Sequence, residues 1–244
     1  MSAHRFAGAL AAVTLLAACS VRDEGSGIAA KASPDGSRSF AATGFTGVEL
    51  AGPDNVIVKR GAAFAVTATG PDSALDKLVV RVDNGRLRIA RESEGIMSWS
   101  DKYRVTVTVT LPQLDELVLS GSGNFDADAA RGDSVDVVLS GSGNLTLAAA
   151  EAKALDVALA GSGDLTIRGG AAERGDVALA GSGDIDMKGM KLASADISLA
   201  GSGNIEATAT STAEVAIIGS GDVRLGGGAK CDSSELGSGT VSCS

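Results

Sequence analysis

Seven acidic residues stand in fixed alignment along the C-terminal half of this chain: Glu116, Asp136, Asp156, Asp176, Asp196, Glu214 and Asp232. Each lies five residues before the first glycine of a Gly-Ser-Gly triplet, and composition alone would rarely produce a wholly acidic column. Carboxylates in series can hold divalent cations, work as acid–base pairs on a polysaccharide, or face water. If the repeats stack as strands about 4.8 Å apart, neighbouring charges repel by about 1 kcal/mol even in bulk water. Solvent exposure, bonds to backbone N–H groups at a turn, or bound cations must relieve that repulsion. Asp and Asn close turns through their own side chains, so turn chemistry is the first expectation. A divalent cation on Asp136, Asp156, Asp176 and Asp196 is the second, and no other cofactor is expected.

A second polar column follows each triplet: Asn124, Asn144, Asp164, Asp184, Asn204, Asp222 and Thr240. It reads as turn chemistry, because calcium would favour charge at every step. Nucleophilic catalysis is not expected. The serines of the triplets have no partner base, and Gly161-Ser162-Gly163-Asp164 is not the Gly-x-Ser-x-Gly elbow of hydrolases. A paired-carboxylate enzyme acting on polysaccharide is the least favoured reading, since every repeat carries the same acids while an active site should break the repeat. Phosphate cradling would need a following helix and usually a lysine, which the pattern lacks.

Basic residues gather before the repeat, from Lys59 to Arg104, together with Trp99 and Tyr103, the only Trp and Tyr of the chain. Solvated strand faces are the plain reading of that cluster. A ligand-facing patch carrying Trp99 and Tyr103, around the irregular stretch 92–102, is the alternative.

These side chains need a scaffold, and the triplets describe it. They begin at Gly121, Gly141, Gly161, Gly181, Gly201, Gly219 and Gly237, spaced by 20 residues and then by 18. A flexible linker has no reason to keep a period, whereas a repeating structural unit does. Apolar residues recur four before the first glycine (Leu117, Val137, Val157, Val177, Ile197, Val215), two before it, and four after it. Such alternation means extended strands with one buried face. A coil of 20 residues is roughly 66 Å of chain, enough to wrap a narrow core once and return beside its start. The expected fold is therefore all-β: a parallel β-helix, or β-solenoid, right-handed by the general crossover preference. Both glycines of a triplet have inward parity, marking places where backbone passes close to backbone.

Residues 113–244 carry this repeat, and 43–112 read as an N-terminal β region forming the first, atypical coils. Strands are expected there over 47–50, 55–59, 63–68, 78–82, 86–91 and 103–111. Asp83-Asn84-Gly85 reads as a tight hairpin turn. Residues 1–18 read as an export signal, with a basic start at His4-Arg5 and an apolar run too short to span a bilayer. Leu16-Ala17-Ala18-Cys19 matches a bacterial lipobox, so Cys19 is the expected lipidation site. The polar residues 19–42 read as a lipidated flexible tether. Cleavage would remove Arg5 from 21 basic side chains, leaving 20 against 30 acidic ones and a formal charge of −10. Nucleic acid is excluded as a partner by that balance. His4, the only histidine, would go as well, and imidazole chemistry with it. Cys231 and Cys243 then remain as an even pair in an oxidising compartment, and a disulfide closing the last coil is expected. Two free thiols or a metal site are the alternatives.

The run of hydrophobic-Ser/Ala-Gly-Ser-Gly-Asn/Asp-hydrophobic units, preceded by Leu111-Pro112-Gln113-Leu114, resembles the bacterial auto-transporter adhesin head domain called the GIN domain. The resemblance spans about residues 44–243. It implies a β-helical exported domain with an adhesion role. No stretch resembles a C-terminal membrane barrel, so the lipid is the expected anchor. Together these readings point to a non-enzymatic, lipid-anchored module of the bacterial cell envelope. It would present its polar face to a glycan, a surface polymer or an envelope protein. A purely structural spacer is the rival.

Overall fold

The computed structural model describes residues 27–92 and 103–244. Cys19 and Trp99 lie outside the described residues. Among those described, nearly every residue of the repeat is in a strand, and the coils stack in parallel as a β-solenoid of about six turns. The register follows the sequence period: Asp136 pairs with Asp156, Leu139 with Leu159 and Gly141 with Gly161. One coil comprises the long strand Ala130–Gly141 and the short strand Asn144–Leu147. Bends at 142–143 and 148–149, and a lapse of pairing at 133, give the coil three sides.

The alternating apolar columns form the core. Leu117, Val137, Val177 and Ile197 are fully buried one above another, and Leu119, Leu139, Phe125 and Leu145 are buried beside them. Small and β-branched side chains suffice because three strands enclose the interior so closely. Where the column falls back to Gly175, the Leu192 side chain of the next coil fills the space, its Cδ1 only 2.6 Å from where a Cβ would stand. The shortening of the period to 18 is absorbed at a corner: Met187 pairs with Ala207, but Lys191 pairs with Thr208.

The triplet glycines are required by sterics. The first glycine of each triplet has φ near +140°, as at Gly161 (+138°) and Gly201 (+140°). A Cβ on the second glycine would stand about 2 Å from the carbonyl oxygen of its counterpart in the coil above, 2.0 Å at Gly163. The intervening serines face solvent.

Stacking order departs from chain order at the N-terminal end. Strand Gly47–Ala51 pairs with Glu116–Gly121 on one side and with Arg86–Arg91 on the other. Asn55–Arg60 likewise lies between Asn124–Ala127 and Thr106–Leu111. The later residues 86–111 therefore form the outermost coil, and 47–60 are sandwiched beneath it. Gly52-Pro53-Asp54-Asn55 occupies the place of Gly-Ser-Gly-Asn in one further copy, with Asn55 opposite Asn124. Pro in place of Ser and Asp in place of the second glycine conceal that copy in the sequence.

Antiparallel strands close this end. Leu78–Asp83 folds back on Arg86–Arg91 through the expected hairpin turn, where Asn84 and Gly85 have φ of 49° and 79°. Ala65–Thr69 covers Thr106–Leu111, Arg38–Phe40 covers Ala65–Thr69, and Ala30–Ala32 covers Arg38–Phe40. Part of the expected tether is thus ordered sheet. The cause is a hairpin turn at Ser33–Ser37, with Asp35 Oδ1 accepting from Ser37 N, and burial of Phe40 and Ala42. Among the described residues no helix is long and apolar enough to cross a membrane.

Candidate functional site

The acidic column becomes one unbroken row. Glu116, Asp136, Asp156, Asp176, Asp196, Glu214 and Asp232 pair each with the next across seven adjacent strands of the long face. They point outward because their neighbours on either side, such as Val135 and Val137, are buried, and strand side chains alternate. A hollow of about 500 Å³ runs beside the row, lined by Asp156, Asp176, Asp196 and Glu214, with Arg174 and Thr212 on its wall. A second hollow of about 310 Å³ continues it past Asp196 and Glu214 to Asp232.

The row is electrostatically loaded. Partial burial, then the charges of Asp156 and Glu116, hold the Asp136 carboxyl above its ordinary range. Asp176 is raised by partial burial and then by the charges of Asp196 and Asp156. Among the described residues, none of Asp156, Asp176, Asp196, Glu214 and Asp232 forms an ion pair with Lys or Arg. The row's first member is treated differently. Arg86 reaches across Gly47 to grip Glu116 through Nε at 2.8 Å and through its second terminal nitrogen. Gly47 makes the reach possible, since a Cβ there would stand 2.5 Å from Glu116 Oε2.

The row is not a chelating cage. Asp136, Asp156, Asp176 and Asp196 contribute one carboxyl per coil, and among the described residues no three metal-ligating side chains converge on a point. The Asn/Asp column, expected to close turns locally, bonds instead from coil to coil, because register stacks each of these side chains over the next. Asn144 Nδ2 donates to Asn124 Oδ1 at 3.2 Å, Asn204 N to Asp184 Oδ1 at 2.8 Å, and Thr240 N to Asp222 Oδ1 at 3.1 Å.

A buried ion pair joins Arg91 to Asp54 of the sandwiched coil. Asp54, 1% exposed, accepts from Arg91 Nε at 2.7 Å and from Val105 N at 2.8 Å. Arg91 also donates to the Tyr103 carbonyl at 2.5 Å. Arg91 and Val105 therefore share one carboxylate. Tyr103 is half exposed there, and its partner in the expected patch, Trp99, lies outside the described residues. Sequence reasoning missed Asp54, and a single Asp inside a degenerate triplet gave it no signal.

Cys231 and Cys243 are joined by a disulfide, with their Cα atoms 6.7 Å apart. The two legs of the last coil converge instead of running straight apart, because Lys230–Gly237 and Thr240–Cys243 keep the bend of the coils above.

A family model described as "Putative auto-transporter adhesin, head GIN domain" matches residues 44–229. The chain belongs to this family. The GIN domain match covers the sandwiched coil, the outer coil and the repeat, and stops just before Lys230. No curated protein matches the sequence. Solved structures share the fold. A putative adhesin from Bacteroides fragilis NCTC 9343 is similar at 21% identity and a TM-score of 0.77, over 85% of this chain and 96% of that one. A putative lipid binding protein from Parabacteroides distasonis ATCC 8503 is similar at 22% identity and 0.70, with the same coverage. A putative adhesin from Parabacteroides merdae ATCC 43184 follows at 19% and 0.68, over 85% of this chain and 95% of that one.

Proposed function

We propose that this GIN domain is a non-enzymatic binding module of the bacterial cell envelope. Its acidic long face engages an extended surface partner, a glycan or other polymer or an envelope protein. The carrying observation is the unbroken row from Asp136 to Asp232, without a Lys or Arg ion pair among the described residues, and its adjoining hollows of about 500 and 310 Å³. Such a row offers the same acceptor set at every coil, which suits a repeating ligand more than a single small molecule. The adhesin-like family supports a binding role, and identical acids in each coil give no distinct acid and base. In this reading Cys19 carries lipid and holds the domain at a membrane, with 1–18 removed on export. Mass spectrometry of the envelope fraction should find the acylated N-terminus, and Cys19→Ser should release the protein.

The decisive experiment is a glycan array and an envelope pull-down with the full chain, beside D156N/D176N/D196N. Binding by the native chain and its loss in the variant is the expected result. Silence in both assays favours the spacer reading, and equal binding by the variant would move the site off this face.

A further inference from the structure

The chain enters the fold at the capped end of the solenoid. Ile28 N donates to Val80 O at 2.7 Å, beside Leu78–Asp83, the outermost strand of the long face. Cys19 stands eight residues before Gly27, and eight residues span at most about 29 Å. From Leu78–Asp83 the long face runs through Arg86–Arg91, Gly47–Ala51 and Glu116–Gly121 to Lys230–Gly237, ten strands in all among the described residues. Nine gaps of about 4.8 Å make it about 43 Å long. Charge is divided along that length. Residues 27–111, which build the capped end, carry 11 basic and 9 acidic side chains, a net of +2. Residues 112–244 carry 8 and 19, a net of −11. Lys31 lies on the outermost strand of the neighbouring side, Ala30–Ala32, which is exposed throughout.

We propose that the capped end faces an anionic lipid surface and that the solenoid stands upright on it, with the acidic row leading away from the membrane. The inference rests on the reading of Cys19 as the lipid anchor. A leash of about 29 Å cannot invert a body about 43 Å long, so the end at Lys230–Gly237 is kept off the bilayer. Lying down is opposed by charge. Each carboxylate brought to a surface at about −30 mV lowers the population of that pose roughly threefold. A long face that lays Asp136, Asp156, Asp176 and Asp196 there is therefore disfavoured by roughly a hundredfold. On the other sides cations are interleaved with acids, as Lys153 with Asp133 at 2.8 Å and Lys188 with Glu206 at 2.6 Å. In the upright pose Asp136 is four strands beyond Leu78–Asp83, about 19 Å, and so outside a screening length of about 8 Å. Glu116, one strand nearer, is already gripped by Arg86. The pose leaves the long face open to a partner.

Neutron reflectometry of the acylated full chain on supported bilayers tests this. On phosphatidylcholine mixed with phosphatidylglycerol the protein layer should be at least about 43 Å thick. A domain lying on one side of its three-sided coil would give roughly 20–30 Å. Phosphatidylcholine alone, or high salt, should thin the layer as lying poses are admitted. K31E/K59E, which reverses two exposed cations of the capped end, should keep the thick layer and widen the water gap beneath it. Mass spectrometry reads the acyl group on Cys19 separately. A missing layer together with a missing acyl group overturns the anchor itself. A retained, acylated layer that is thin on the anionic bilayer overturns the upright pose alone. Equal thickness on both lipids and at both salt levels overturns charge as its cause, and an unchanged gap in K31E/K59E overturns the capped end as the surface that meets the lipid.

Discussion

Replacing Gly163 with alanine would place a methyl group 2.0 Å from the carbonyl oxygen of Gly143, and 3.0 Å from Leu139 Cδ2. Gly163 has no positive φ, so the substitution tests close approach of two coils and leaves backbone preference aside. A tolerable contact needs at least 3 Å, so the coils must part locally by about 1 Å. The bonds at risk are Ser162 N to Gly141 O (3.0 Å), Gly163 N to Gly141 O (3.2 Å), Ser182 N to Gly161 O (2.9 Å) and Gly183 N to Gly161 O (3.2 Å). Weakening three or four of them, at about 1 kcal/mol each, costs about 3–4 kcal/mol. For a chain of this size that corresponds to a fall in Tm of about 6–16 °C. Two controls frame the result. Ser162→Ala, on the exposed residue between the glycines, should stay within about 0.5 kcal/mol. Gly36→Ala, at φ +79° with open space around its Cβ, should cost only about 1–2 kcal/mol. Thermal and urea unfolding followed by circular dichroism read all three. A Gly163→Ala protein as stable as Ser162→Ala would refute close coil packing as the reason for the triplet.

Asp54→Asn should destabilise the fold by about 3–5 kcal/mol, because it breaks a buried ion pair at a carboxylate that accepts from both Arg91 Nε and Val105 N. Urea unfolding measures it, and a loss under about 1 kcal/mol would mean the pair is dispensable. D136N/D176N should stabilise the protein at neutral pH. Both carboxyls have folded-state pKa values raised above the unfolded ones, so the fold holds their protons more tightly, and native stability falls as pH climbs from the unfolded toward the folded pKa. The advantage of the variant should accordingly be full above that window and vanish below it. A Tm difference that grows on acidification would contradict the sign.

Much of the solenoid was legible because one physical constraint was written seven times. Leu139 and its counterparts at 159, 179 and 199 must all point inward, and the only stacking that lets them do so is register by one coil. The glycine triplets belong to the same constraint. The N-terminal end was legible strand by strand, as at Arg86–Arg91, but not in order. Strand propensity says that a segment is extended, and it does not say which edge the segment will join. The segment 27–42 was misjudged for a related reason, since its small polar residues read as linker until Phe40 finds a core to enter.

The sequence alone determined what repeats: the period, the buried columns and the acidic row on the outward parity. Those are properties of residues a fixed number of positions apart, which a one-dimensional pattern can carry. Only the tertiary structure decided what meets across unrelated positions. It set Arg86 over Gly47 onto Glu116, and it joined Asp54 to Arg91 and Val105 across a separation of 37 and 51 residues. It also inserted the earlier coil 47–60 beneath the later one. Each of these depends on which edge of the growing sheet remained free, and that is a property of the assembled stack.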